Sequence, residues 1–310
     1  MRPHHPAVLH AASHRPAPPG PDPHAGAGPA LLVIAHGSRD PRHAATVRAL
    51  TARVAAARPE LRVDTAFLDF EPASVPGAVR RLAAEGVRDA VALPLLLTRA
   101  FHAKTDIPAV LAESAASLPG LRLHTADVLG PSPLLVAALE RRLRAAGVRP
   151  GDRAGTGVVL ASAGSTDPEA SAVIAEIARE WRRTGWCAVR PAFASASLPR
   201  TQDAVRALRA EGVRRVAVAP YVIAPGFLPD RIAAGAREAG ADVLADVLGP
   251  APELAALLLR RYDQARLRAA APEPLRDTLQ GGVGLSPPLR GRSPQRKSPV
   301  GRMGGRPLAS

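Results

Sequence analysis

ALLVIAHGSRDP, residues 30–41, is an unbroken apolar run that stops at a glycine and closes on Asp-Pro. Six consecutive apolar residues, 30–35, suit a strand buried on both faces, because a strand with one wet face alternates apolar and polar side chains. Gly37 then marks a turn. Asp40 supplies an N-cap acceptor and Pro41 a first-turn proline, and RHAATVRALTARVAAAR (42–58) has the apolar spacing of an amphipathic helix. Working outward, the same reading predicts strands at 62–68, 90–97 and 121–126 and helices at about 74–85, 105–117 and 132–146. Strands alternating with helices of this length predict an α/β fold whose parallel sheet is flanked by helices.

The pattern occurs twice. Glu85-Gly86-Val87-Arg88 returns as Glu211-Gly212-Val213-Arg214, 126 residues later, and Phe67 and Phe101 find Phe193 and Phe227 at the same displacement. Gly37-Ser38 with Asp40-Pro41 returns as Gly164-Ser165 with Asp167-Pro168, and Asp127-Val128-Leu129-Gly130-Pro131 as Asp246-Val247-Leu248-Gly249-Pro250. The chain is therefore expected to hold two similar lobes, 30–149 and 150–268. Residues 1–29, rich in Pro, Gly, Ala and His, and 269–310, rich in Pro, Gly, Arg and Ser, read as disordered tails.

Composition narrows the function classes. The net charge is +14, but in residues 271–310 seven basic residues against two acids account for +5, and the rest is spread along helices with few aromatics to stack bases. A nucleic-acid reader is not expected. No run approaches the roughly 18–20 apolar residues of a membrane span and no apolar leader follows the start, so a cytoplasmic protein is expected. Cys187 is the single cysteine, which leaves metal chemistry to nitrogen and oxygen ligands. No Gly-rich phosphate loop is present.

The repeat separates residues that the fold needs from residues that one lobe alone needs. Both lobes keep the Gly-Ser and Asp-Pro pairs, which marks them as turn and cap. His36 is matched by Ala163, His102 by Leu228 and Asp69 by Ser195, and 156–268 contains no histidine. His36, Asp69 and His102 follow three successive predicted strands, so their side chains should converge at the carboxyl edge of the sheet, where open α/β folds bind ligands. Two imidazoles and a carboxylate suit a borderline divalent metal, and an imidazole accepts protons near neutral pH. Glu71 is the alternative carboxylate. His43 and His124 read as an exposed helix residue and a strand residue.

AHGSRDP (35–41) together with PLLLTRAFHAKTDIP (94–108) resembles the sirohydrochlorin chelatase family, whose members share an HGS turn and a His in an H-x-K/R-x-DIP loop. The resemblance covers most of the first lobe, and the second resembles the degenerate repeat of longer members. It implies two chelatase-like lobes with the active site in the crevice between them. The implied reaction is insertion of Fe2+ or Co2+ into sirohydrochlorin, a lyase activity of siroheme or cobalamin biosynthesis, with no cofactor beyond the metal substrate. Carried over by motif, His36 and His102 are the metal ligands and proton acceptors. The family often has Glu after a Phe-Leu pair, and here Phe67-Leu68 is followed by Asp69, which leaves Asp69 or Glu71 as the acid. Ser38, Arg39, Arg99 and Lys104 are the residues expected to hold the polycarboxylate substrate, with Lys104 one of only two lysines. A monomer or homodimer is expected. The rival reading is a non-catalytic metal or tetrapyrrole carrier with the same site. A histidine phosphatase would want Arg before the His-Gly pair, where Ala35 stands.

Overall fold

The computed structural model describes residues 28–99 and 105–271. The expected tails lie outside them, apart from 28–29 and 269–271, as do His102 and Lys104. The first lobe runs β1 (Ala30–Ala35), α1 (Pro41–Ala57), β2 (Val63–Phe67), α2 (Val75–Ala84), β3 (Asp89–Pro94), α3 (Ile107–Ala116), β4 (Arg122–Thr125) and α4 (Pro133–Ala145). A 3-10 turn, Pro150–Gly155, leads into the second: β5 (Thr156–Ser162), α5 (Pro168–Arg182), β6 (Ala188–Phe193), α6 (Thr201–Ala210), β7 (Arg215–Tyr221), α7 (Phe227–Glu238), β8 (Val243–Leu244) and α8 (Pro252–Ala270). The sheets have orders β2-β1-β3-β4 and β6-β5-β7-β8, and all pairings are parallel.

The apolar run of β1 is explained by burial on both sides. Leu31 and Val33 point into a core shared by the lobes, together with Val91 and Leu93 of β3 and Leu160 and Ala219 of the second sheet. Leu32 and Ile34 point the other way, against Val79 and Leu82 of α2. The second lobe repeats this, with Val159 and Val218 facing Leu208 and Ile232. Each fully buried aliphatic side chain contributes about 1.5–3 kcal/mol. Ion pairs at exposed positions are screened and weaker, so the shared apolar core is what joins the lobes.

The last helix of each lobe packs on the other. α4 leaves the first sheet to lie on β7, with Trp181 of α5 donating from Nε1 to Glu140 at 3.1 Å. Reciprocally, α8 packs on β3, β4 and α1, and Asp263 accepts a two-pronged bond from Arg58 at 2.7 and 2.9 Å. The exchange is pinned symmetrically. Arg142 of α4 donates to the Leu248 carbonyl at 2.9 Å and Arg261 of α8 to the Leu129 carbonyl at 3.1 Å, so each recurrent Asp-Val-Leu-Gly-Pro loop is capped by the arginine of the opposite lobe.

Candidate functional site

The carboxyl ends of β1 and β3 face those of β5 and β7 across a crevice of about 740 Å³. Its first wall begins where β1 ends. Gly37 has φ 95°, and a Cβ there would sit 1.9 Å from the Asp69 carbonyl oxygen, so only glycine lets the turn press against the loop after β2. The Asp69 amide donates to the His36 carbonyl at 2.9 Å. The second wall has the same geometry. Gly164 has φ 88°, its hypothetical Cβ falls 2.0 Å from the Ser195 carbonyl, and the Ser195 amide donates to the Ala163 carbonyl at 2.9 Å. His36 with Ala163 and Asp69 with Ser195 are thus equivalent positions in space as well as in sequence.

His36, Ser38 and Arg39 line the crevice, and the His36 ring stands edge-on to Phe70 at 6.4 Å between centroids. Ser38 Oγ accepts from the Asp40 amide at 3.1 Å and Asp40 accepts from the Arg42 amide at 2.9 Å, which caps α1. Ser165 and Asp167 repeat both bonds, as a turn common to the two lobes should. Asp69 is exposed beside His36 and its carboxylate accepts from the Phe70 amide at 3.2 Å. Glu71 is engaged elsewhere, paired with Arg48 at 2.9 Å. Arg99 is paired with Asp127 at 2.8 Å, and Asp127 also holds Arg268 at 2.6 Å. Burial pushes the Asp127 carboxyl up, but Arg268 and Arg99 together hold it below the usual range. Among the described residues no group of three His, Cys, Asp or Glu side chains is placed to hold a metal ion. His102, the second expected ligand, lies outside them.

His43 corrects its sequence reading as an exposed helix residue. It sits in the first turn of α1, half-buried, lining the crevice, and its Nδ1 is buried with no hydrogen-bond partner among the described residues. Burial, and after it the neighbouring His36, push its pKa below the ordinary imidazole value, against smaller opposite effects of Glu71 and Asp40. The repeat held the missed signal, since Ala170 occupies the equivalent place and lines the opposite wall. His124 is the strand residue expected, on β4 with Nε2 3.3 Å from Asp89.

The second wall contributes Ile223, Ala224, Pro225, Gly226, Phe227 and Leu228. It also contributes Tyr221, which stands where the first lobe has Leu95. Tyr221 is 2% exposed, its hydroxyl has no partner among the described residues, and burial pushes the phenol well above its ordinary range. Near the mouth the lobes are bridged by Arg42, which reaches both Asp40 at 2.5 Å and Asp230 of α7 at 2.7 Å.

The CbiX family model matches residues 30–146 and, a second time, residues 157–265. The chain belongs to the CbiX family. The two matches fall on the β1–α4 and β5–α8 segments. Among curated relatives, the sirohydrochlorin cobaltochelatase of Priestia megaterium is 27% identical over 204 residues, 65% of this chain and 66% of that protein, just under two thirds of its length. The sirohydrochlorin ferrochelatase of Bacillus subtilis strain 168 is 26% identical over 208 residues, 66% of this chain and 77% of that protein. The fold is that of SirB from Bacillus subtilis, solved with Fe3+, with a TM-score of 0.69 at 23% identity over 78% of this chain and 97% of SirB. A CbiX described as the terminal enzyme for biosynthesis of siroheme in denitrifying bacteria superposes with a TM-score of 0.58 at 24% identity, over 78% of this chain and all of that one. Among the described residues no helix is long and apolar enough to cross a membrane.

Proposed function

We propose that this chain inserts a divalent metal ion, Fe2+ or Co2+, into sirohydrochlorin in the crevice between its lobes, with His36 and His102 as the residues that handle the metal and the displaced protons. The observation that carries the reading is the asymmetry of the crevice. A duplicated fold presents the same turn on both walls, yet an imidazole at the end of β1 faces an alanine at the end of β5. Membership of a family whose curated relatives are sirohydrochlorin chelatases supports the same chemistry.

The reaction consumes M2+ and the metal-free macrocycle and yields the metallated macrocycle and two protons. His36, exposed on the crevice wall, presents an imidazole that can take a pyrrole proton. Asp69 supplies the carboxylate beside it; Glu71 already neutralises Arg48 and is the poorer choice. Arg39, Ser38 and Lys104 are assigned to the peripheral carboxylates, where charge-assisted hydrogen bonds are strong. Arg99 joins them only by exchanging Asp127 for substrate. Imidazole and carboxylate ligands accept iron and cobalt alike. The cytoplasmic setting and the monomeric or homodimeric state belong to this proposal.

The test is the absorbance change when anaerobic Fe2+ or Co2+ is mixed with sirohydrochlorin and catalytic amounts of protein. Wild type is expected to accelerate metallation beyond one equivalent, and His36→Ala to fall to about a hundredth of the wild-type rate or less, the size of a lost acid–base group. Binding of one equivalent without turnover would favour the carrier reading instead.

A further inference from the structure

The chain has nine aromatic side chains, and six of them (Phe67, Trp181, Trp186, Phe193, Tyr221 and Tyr262) are buried in its cores. Phe70 and Phe227 are not. They are 50% and 72% exposed, they belong to opposite lobes, and both line the crevice. Exposed phenylalanine is costly to leave in water, and two such rings on facing walls of one cleft call for a common occupant.

Phe70 is also placed at a conformational cost. Its φ is 62°, a left-handed backbone that bulky L-residues avoid. The equivalent Ala196 has φ 56°, so the fold imposes this turn in both lobes, and only the first sets a large ring on it. That ring stands edge-on to His36 at 6.4 Å. Each of the two rings carries a cation: the Arg39 guanidinium lies 5.2 Å from the Phe70 centroid, and that of Arg231 lies 5.7 Å from the Phe227 centroid. The unit on each wall is therefore an exposed aromatic ring with a guanidinium over it.

We propose that Phe70 and Phe227 form an aromatic clamp on the flat conjugated face of the tetrapyrrole, with Arg39 and Arg231 taking carboxylates at its rim. The inference rests on reading the crevice as a sirohydrochlorin site and adds the residues that seat the macrocycle. A flat apolar face ringed by acids is the ligand that complements paired phenylalanine and arginine, because stacking and charge pairing are then satisfied together. The Phe70 contact with His36 makes the clamp a positioning device, holding the macrocycle beside the imidazole that takes its proton.

The experiment titrates metal-free sirohydrochlorin into wild type, Phe70→Ala, Phe227→Ala and Arg231→Gln proteins by fluorescence, and measures Co2+ insertion at varied macrocycle and metal concentrations. Each phenylalanine variant is expected to raise the macrocycle Kd and KM roughly tenfold, about 1.4 kcal/mol, with kcat changed less than about threefold and the metal KM unmoved. Arg231→Gln is expected to weaken binding less and to lessen its dependence on salt. Leu198→Ala, at a side chain 73% exposed that does not line the crevice, controls for loss of exposed apolar surface and should bind as wild type. Circular dichroism confirms that each variant folds. Wild-type binding by both folded phenylalanine variants, with turnover intact, overturns the clamp and leaves the proposed reaction standing. Failure of wild type itself to bind or metallate sirohydrochlorin overturns the reaction, and the clamp with it.

Discussion

The two lobes share a backbone and differ in what they hang on it. The turns after β1 and β5 agree in φ at the glycine, in the amide that crosses to the next loop and in the Ser and Asp bonds that cap the following helix. At several positions around those turns the side chains part, among them His36 and Ala163, Arg39 and Thr166, His43 and Ala170, Asp69 and Ser195, Phe70 and Ala196, Leu95 and Tyr221. The imidazoles of His36 and His43 and the Arg39 guanidinium lie on one wall, and the other carries Tyr221 and Phe227 among small and apolar side chains. The shared core requires the fold of both lobes whichever side chains line the crevice.

The sharpest way to test that division is to move the histidine. His36→Ala is expected to lose the hundredfold stated above, and adding Ala163→His should restore less than about a tenth of the wild-type rate, since Ser195 and Leu228 supply neither acid nor second imidazole. Recovery of full activity by the double variant in the metallation assay would show that the lobes are interchangeable.

The shared scaffold predicts the opposite, symmetrical result. Gly37→Ala and Gly164→Ala each drive a Cβ into a backbone carbonyl at a positive φ, and each should cost about 4 kcal/mol in urea unfolding. Because one core serves both lobes, both variants should unfold in a single transition. Two separated transitions would mean that the lobes fold independently.

A smaller symmetrical pair lies in the exchanged helices. Arg142→Ala and Arg261→Ala each strip a carbonyl of its guanidinium partner, for about 2 kcal/mol apiece. Unequal losses would show that the exchange is held mainly from one side.

The smallest effect is asymmetric again. Burial, then His36, lowers the His43 pKa in the folded state, so the unfolded chain binds more protons as pH falls below the ordinary imidazole value of about 6.5. The stability contributed by neutral His43 is present above that pH and is lost as pH drops through the folded pKa. Thermal melts at pH 7.5 and 5.5 should show a decline that His43→Gln reduces. An unchanged decline would assign it to other groups.

Much of this was legible in the chain. The unbroken apolar run at 30–35 declared a strand covered on both faces, and Asp40-Pro41 declared the helix start, because both depend on neighbours a few residues apart. The repeat isolated His36 and Asp69 by contrast with Ala163 and Ser195. It offered the same contrast at His43 and Ala170, where a helix position alone gave no sign of facing the cleft.

Amino-acid order by itself determined the duplicated α/β lobes, their glycine turns and the lobe that carries the histidines, since local backbone preference and apolar period are written into short stretches. Only the tertiary structure decided that α4 and α8 trade places, that Phe70 and Phe227 line one cleft, and that Glu71 and Arg99 are already paired with Arg48 and Asp127. An exchanged helix keeps the same apolar stripe whichever sheet it covers, and an ion pair between residues 23 or 28 apart leaves no local period. Those choices are made by which burial and charge pairing the assembled chain can satisfy at once.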